Sequence, residues 1–78
     1  MPRLRLFGPA AQAAGTRADT MAGSTVGEIL AAARERYGEE FVRVATTCRV
    51  WVNGESAGPD VSLRDGDEVA LLPPVSGG

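Results

Sequence analysis

The last six residues, Pro73-Pro74-Val75-Ser76-Gly77-Gly78, are the part of this chain whose types and spacing could do chemistry. The reacting group would be the carboxylate of Gly78 rather than any side chain. A carboxylate is a poor acyl donor until it is activated, commonly as an acyl-adenylate, and activation requires the chain end to enter another enzyme's closed site. Gly77 and Gly78 carry no side chains, so such an arm could pass a narrow channel and adopt backbone conformations barred to other residues. Pro73 and Pro74 stiffen its base and lower the ordering cost of insertion. Fully extended, residues 73–78 reach about 20 Å, enough to enter a buried site in a partner.

Other chemistries lack their residues. There is no histidine, and Cys48 is the one cysteine. Zinc sites of Cys/His type, Ser/His/Asp units and Cys/His units are therefore excluded, as is an internal disulfide. Cys48 has no lysine or histidine to lower its pKa and reads as a small buried hydrophobe. Asp65, Asp67 and Glu68 read as a solvated turn, so no metal site is expected. A chain of 78 residues makes one domain, too small to wall a deep catalytic cleft, which argues for a binding or carrier module. The net charge of −2 gives no reason to expect nucleic-acid binding. All eight basic residues are arginine. Codon bias in an Ala/Gly/Arg-rich genome accounts for that, and it also leaves no side-chain amine to attack an activated carboxyl end. No apolar h-region follows Arg3 and Arg5, and no apolar run could span a bilayer, so no membrane association is expected and the cytoplasm is the default compartment.

The elements that must carry the arm can be read from periodicity. Arg3-Leu4-Arg5-Leu6-Phe7 alternates like a half-buried strand with Leu4 and Leu6 inward, ended by Gly8-Pro9. Residues 10–14 predict one packed helical turn stopped by Gly15. Thr16 to Met21 predicts a second strand, antiparallel to the first. Thr25 and Glu28 fit a capping box, and Val26, Ile29, Leu30, Ala33 and Tyr37 then fall on one helical face, with Gly38 as the stop. Phe41, Val42 and Val44 are expected in a connecting segment. Thr47 to Val52 predicts a strand with Cys48, Val50 and Val52 on one face and Arg49 and Trp51 on the other. Asn53-Gly54 predicts a turn. After Asp65-Gly66-Asp67 comes a final strand, Glu68 to Leu72, ended by Pro73-Pro74. One main helix on a mixed sheet of four to five strands is an α+β two-layer roll. Strand parity puts Trp51 and Leu72 on the open face, where they would form an apolar surface for partner proteins. The expected division is a domain of residues 1–72 and an extended arm of residues 73–78.

Asp65-Gly66-Asp67-Glu68-Val69 followed by Pro73-Pro74-Val75-Ser76-Gly77-Gly78 resembles the ending of the MoaD/ThiS family of ubiquitin-like sulfur carriers, most similar to the MoaD type, the small subunits of molybdopterin synthase. The resemblance extends through Leu6-Phe7, Gly15-Thr16, Thr25-Val26 with Leu30, and Val52-Asn53-Gly54. It implies a ubiquitin-like β-grasp roll and a chain that is itself non-catalytic. An E1-like adenylyltransferase would spend ATP to adenylate Gly78, and a sulfur donor protein would convert it to a thiocarboxylate. Pro73, Pro74, Val75, Ser76 and Gly77 would then be inserted into the molybdopterin synthase large subunit, in a heterotetramer, to deliver sulfur for the dithiolene. No cofactor would be bound by this chain. The alternatives are a carrier for cysteine, thiazole, tRNA thiolation or a secondary metabolite, and a ubiquitin-like protein modifier. The Pro-Pro pair favours the molybdopterin branch over the thiazole branch.

Overall fold

A computed structural model describes residues 1–74. Strand β1 (Arg3–Leu6) leads into α1 (Gly8–Ala14), β2 (Ala18–Thr20), α2 (Val26–Tyr37), α3 (Glu39–Ala45), β3 (Arg49–Val52), β4 (Glu55–Ser56) and β5 (Glu68–Leu72). The five strands form one sheet in the order β2-β1-β5-β3-β4. Its centre is a parallel pair, β1 with β5, in register Leu4 to Val69 and Leu6 to Leu71; the other pairings are antiparallel. This is the expected ubiquitin-like β-grasp roll.

Alternation in β1 and β5 sends Leu4, Leu6, Val69 and Leu71 to one face, where all four are buried in one cluster with Ile29 and Ala33 of α2, Met21 and Phe41. Each large apolar side chain removed from water contributes about 1.5–3 kcal/mol. The capping box forms as a pair of bonds at the head of α2. The Thr25 hydroxyl accepts from the Glu28 N–H at 3.2 Å, and the Glu28 carboxylate accepts from Ser24 N–H at 2.8 Å, one residue before the cap.

Three local readings are corrected. Gly8-Pro9 does end β1, but it also begins a seven-residue helix rather than preceding a single turn. Proline is tolerated there because the first helical N–H groups have no intrahelical acceptor. Gly15, at φ +76°, closes α1 with its N–H on Ala11 O. The segment expected to be a connector is α3, also too short to hold by itself. Phe41, fully buried and edge-on to Tyr37 at 5.1 Å between ring centres, anchors it in the core. Finally, β3 starts at Arg49 and not at Thr47, because Thr46, Thr47 and Cys48 still donate their N–H groups to carbonyls of α3.

The two edges of the sheet are short. At β2, Arg17 O and Met21 N bond to β1, so the groups of Ala18 and Thr20 point outward. The Thr16 hydroxyl donates to Ala18 O at 2.9 Å, and Asp19 Oδ1 accepts from Thr20 N–H at 2.8 Å. That edge is thus already occupied by its own side chains.

Candidate functional site

The arm grows out of the middle of the sheet. Strand β5 lies between β1 and β3, and its entry is tied on both sides. Asn53, at φ +50°, and Gly54, at φ +86°, make the tight turn between β3 and β4. The Asn53 side chain then donates to Asp67 Oδ1 and accepts from Glu68 N–H, both at 3.0 Å. Asp67 Oδ2 accepts from Arg64 N–H at 2.8 Å across the turn containing Gly66. These bonds hold the Asp67 carboxyl below the usual carboxylate range, the Arg64 N–H contributing most and Asn53 next. Of the acids singled out in the sequence, Asp67 therefore ties the turn that launches β5. Glu68 lies beside Arg5, 3.7 Å away.

At the other end of β5, Pro73 and Pro74 are exposed. Pro73 stands over the start of α1, its Cγ 3.6 Å from the point where a Cβ on Gly8 would sit. Gly8 itself has φ +56°, a conformation that favours glycine, while the space beside Pro73 would admit a Cβ in ordinary contact. Val75, Ser76, Gly77 and Gly78 lie outside the described residues.

Around this exit the open face of the sheet carries apolar side chains beside Arg49. Trp51 pairs with Ala70 and Leu72 with Arg49, which puts Trp51 and Leu72 on that face as diagonal neighbours. Both are half-buried. Phe7 follows the same parity from β1 and is 37% exposed, with the Arg5 guanidinium 5.7 Å from its ring centre. Sequence reading grouped only Trp51 with Leu72. The alternation that sends Leu4 and Leu6 inward was the signal that Phe7 faces out.

Cys48 is half-buried behind β3, its thiol 3.5 Å from Val44 O, and burial pushes its pKa up. A thiol kept protonated in this way is a poor nucleophile. The site offers the Pro73-Pro74 pair at the end of a central strand, beside Leu72 and a surface of Trp51, Phe7 and Arg5, whose types are enriched at protein interfaces.

A β-grasp roll presenting such an arm defines a ubiquitin-like carrier protein. The ThiS family model matches residues 4–78, and the chain belongs to that family of ubiquitin-like sulfur carriers. SAMP1 from Haloferax volcanii is 34% identical, over 99% of this chain and 98% of that chain, with a TM-score of 0.79. A chain in the protein–protein complex of subunits 1 and 2 of the molybdopterin-converting factor from Helicobacter pylori is 27% identical, over 99% of this chain and 97% of that one, at TM-score 0.75. A chain of the Amycolatopsis orientalis BexX/CysO complex, 24% identical, shares the fold at TM-score 0.82, with 100% of both chains covered. No helix among the described residues is long and apolar enough to cross a membrane.

Proposed function

We propose that this chain is the sulfur-carrying small subunit of a molybdopterin synthase, a non-catalytic partner acting in the cytoplasm. The observation that carries the reading is the Pro-Pro-Val-Ser-Gly-Gly sequence that follows central strand β5, whose first proline lies beside Gly8. The likeness to a chain of the molybdopterin-converting factor complex supports it. In this reading residues 1–72 are the docking body and residues 73–78 the arm. The Gly78 carboxylate attacks the α-phosphorus of ATP in an E1-like enzyme and displaces pyrophosphate. Hydrosulfide, or the sulfur of a donor protein, then attacks the acyl carbon, and AMP leaves with the electron pair of the C–O bond. When the donor is a persulfide, a thiol must next reduce the acyl disulfide to free the thiocarboxylate. Trp51, Leu72 and Phe7 hold the body on each partner while residues 73–77 thread its channel.

A second reading, a protein modifier, is favoured by the 34% identity to SAMP1, a small archaeal modifier protein. As a modifier this chain would act as donor, since its sequence holds no lysine through which a second copy could be added.

The test is intact-mass spectrometry after incubation with ATP, an E1-like enzyme and sulfide. The carrier reading expects one oxygen replaced by sulfur, and no change when Gly78 is deleted or followed by another residue. Transfer from the charged carrier to a pterin precursor by the large subunit separates it from the modifier reading, which expects Gly78-linked lysine adducts instead. Sulfur transfer at the normal rate without Gly78 would refute both.

A further inference from the structure

We propose that the open sheet face beside β1 docks an extended acidic segment of a partner protein, gripped by the guanidiniums of Arg3, Arg5 and Arg17 over the low floor of Ala18 and Thr20. The inference deepens the carrier reading, and the identity of the partner rests on that reading.

A shallow basin of about 450 Å³ lies on the open face where β2, β1 and β5 meet. The register explains its shape. Arg3 stands between Thr20 and Glu68, and Arg5 between Ala18 and Ala70, so long cationic side chains rise beside short ones. Arg17 closes the rim.

Charge on this face is opposite to that of the chain. The net charge is −2, yet the open-face positions of the strands carry Arg3, Arg5 and Arg49 against Glu68 alone. Among the described residues Arg3 and Arg17 make no ion pair, and Arg5 meets Glu68 only at 3.7 Å. Asp19 also borders the basin, but its carboxylate is taken up by Tyr37, Arg36 and the Thr20 N–H. The basin therefore presents guanidinium groups with little internal compensation. A carboxylate meets such a planar donor fork with two parallel hydrogen bonds.

Spacing selects the form of the occupant. Arg3 and Arg5 are alternate residues of a strand, about 7 Å apart, which is also the separation of alternate side chains in an extended peptide. Acidic residues at every second position would meet both. The segment cannot simply add as a strand at β2, because the outward groups of Ala18 and Thr20 are bonded to Thr16 and Asp19. Contact is through side chains, across the face. A protein fits better than a polyanionic nucleic acid or membrane for two reasons. The chain's overall negative charge opposes the latter, and Arg5, stacked on Phe7, joins the basin to the apolar rim of the arm exit.

The direct test is an NMR titration of the full isotope-labelled chain with a short peptide of alternating Asp and Ala. Alternating Ser and Ala, phosphatidylglycerol vesicles and a single-stranded oligonucleotide serve as comparisons. Amide shifts confined to residues 3–5, 17–20 and 68, weakened by salt and lost in the triple variant R3A/R5A/R17A, are expected with the acidic peptide alone. No shift with that peptide, shifts elsewhere, or binding of vesicles or oligonucleotide in its place would overturn the proposal. The second measurement is ATP–pyrophosphate exchange by the E1-like enzyme. The triple variant should raise the KM for the carrier roughly tenfold, leave kcat unchanged and flatten the salt dependence, while R34E/R43E on the helical side changes neither. Adenylation of the triple variant at an unchanged KM would overturn the docking surface and leave the carrier reading intact. A wild-type chain that binds the acidic peptide at this face yet is never adenylated would do the reverse.

Discussion

Tyr37 donates its hydroxyl proton to the Asp19 carboxylate across 2.6 Å, and by that bond the last turn of α2 holds edge strand β2. Arg36 reaches the same carboxylate oxygen at 2.9 Å. The Tyr37 bond, then the Thr20 N–H, then Arg36 hold the Asp19 carboxyl below the usual range. Burial, and next the bond to Asp19, push the Tyr37 hydroxyl up to about 12. Both groups titrate outside the physiological range, so the latch is closed there.

Its stability contribution has two limits. A lowered Asp19 pKa means stability that is present above the unfolded value of about 3.9 and lost as pH falls through the folded value. A raised Tyr37 pKa means stability that is present below about 10 and lost as pH climbs toward the folded value. Tyr37→Phe should cost about 1 kcal/mol near neutral pH, because a partly exposed carboxylate loses one donor. It should also shorten the alkaline limb of a stability–pH curve measured by urea unfolding, leaving the part that comes from the buried Cys48 thiol. An alkaline limb unchanged in the variant would show that Tyr37 is not its source.

Phe41 makes a sharper prediction because it is the fully buried residue of α3, with Val44 and Ala45 only partly buried beside the core. Phe41→Ala should destabilise by about 3–5 kcal/mol, the usual range for a buried aromatic. A domain of this size has little margin, so the variant should be largely unfolded near room temperature. Val42→Ala, one residue on and 37% exposed, should change stability by less than about 0.5 kcal/mol. Thermal melts followed by circular dichroism would compare the two, and similar losses for both would contradict the packing of α3.

Trp51 and Phe7 are expected to matter to partners more than to the fold. Trp51→Glu and Phe7→Glu should each weaken binding to the E1-like enzyme by roughly tenfold or more, the loss typical of an aromatic anchor at an interface. Their unfolding free energies should fall by no more than about 1 kcal/mol, because neither contributes to the buried layer. Calorimetric titration and urea unfolding read the two effects separately. A large stability loss with unaltered binding would put Trp51 in the structural core.

The seat of the arm can be tested at Gly8. A valine there must adopt φ +56°, which costs on the order of 1–3 kcal/mol, and it meets Pro73. Gly8→Val should therefore lower the melting temperature, and it should raise the KM for the carrier in ATP–pyrophosphate exchange, because relaxing the strained backbone at Gly8 moves the surface beside Pro73. Pro73→Ala should be milder, loosening the arm without displacing it. Unchanged exchange kinetics in Gly8→Val would mean that the contact does not aim the arm.

Strong local signals explain what could be read from the chain alone. The capping pair Thr25 and Glu28, the helical period through Ala33, the Asn53-Gly54 turn and the alternation of β1 and β5 each need only a few neighbouring residues to take effect. Together they specified the roll, its long helix and the strand that bears the arm. The chemistry proposed for residues 73–78 rests on residue type, so it is read from the sequence directly. Where local preference is weak, packing decided. Residues 39–45 are helical because Phe41 is buried and not because the segment favours helix unaided. The Tyr37–Asp19 latch joins residues 18 positions apart, and the Gly8–Pro73 contact joins the two ends of the chain. The arginine basin exists only because β1 pairs with β2 on one side and β5 on the other. Pairings between distant segments are fixed when the hydrophobic core closes, and until then no stretch of sequence contains them.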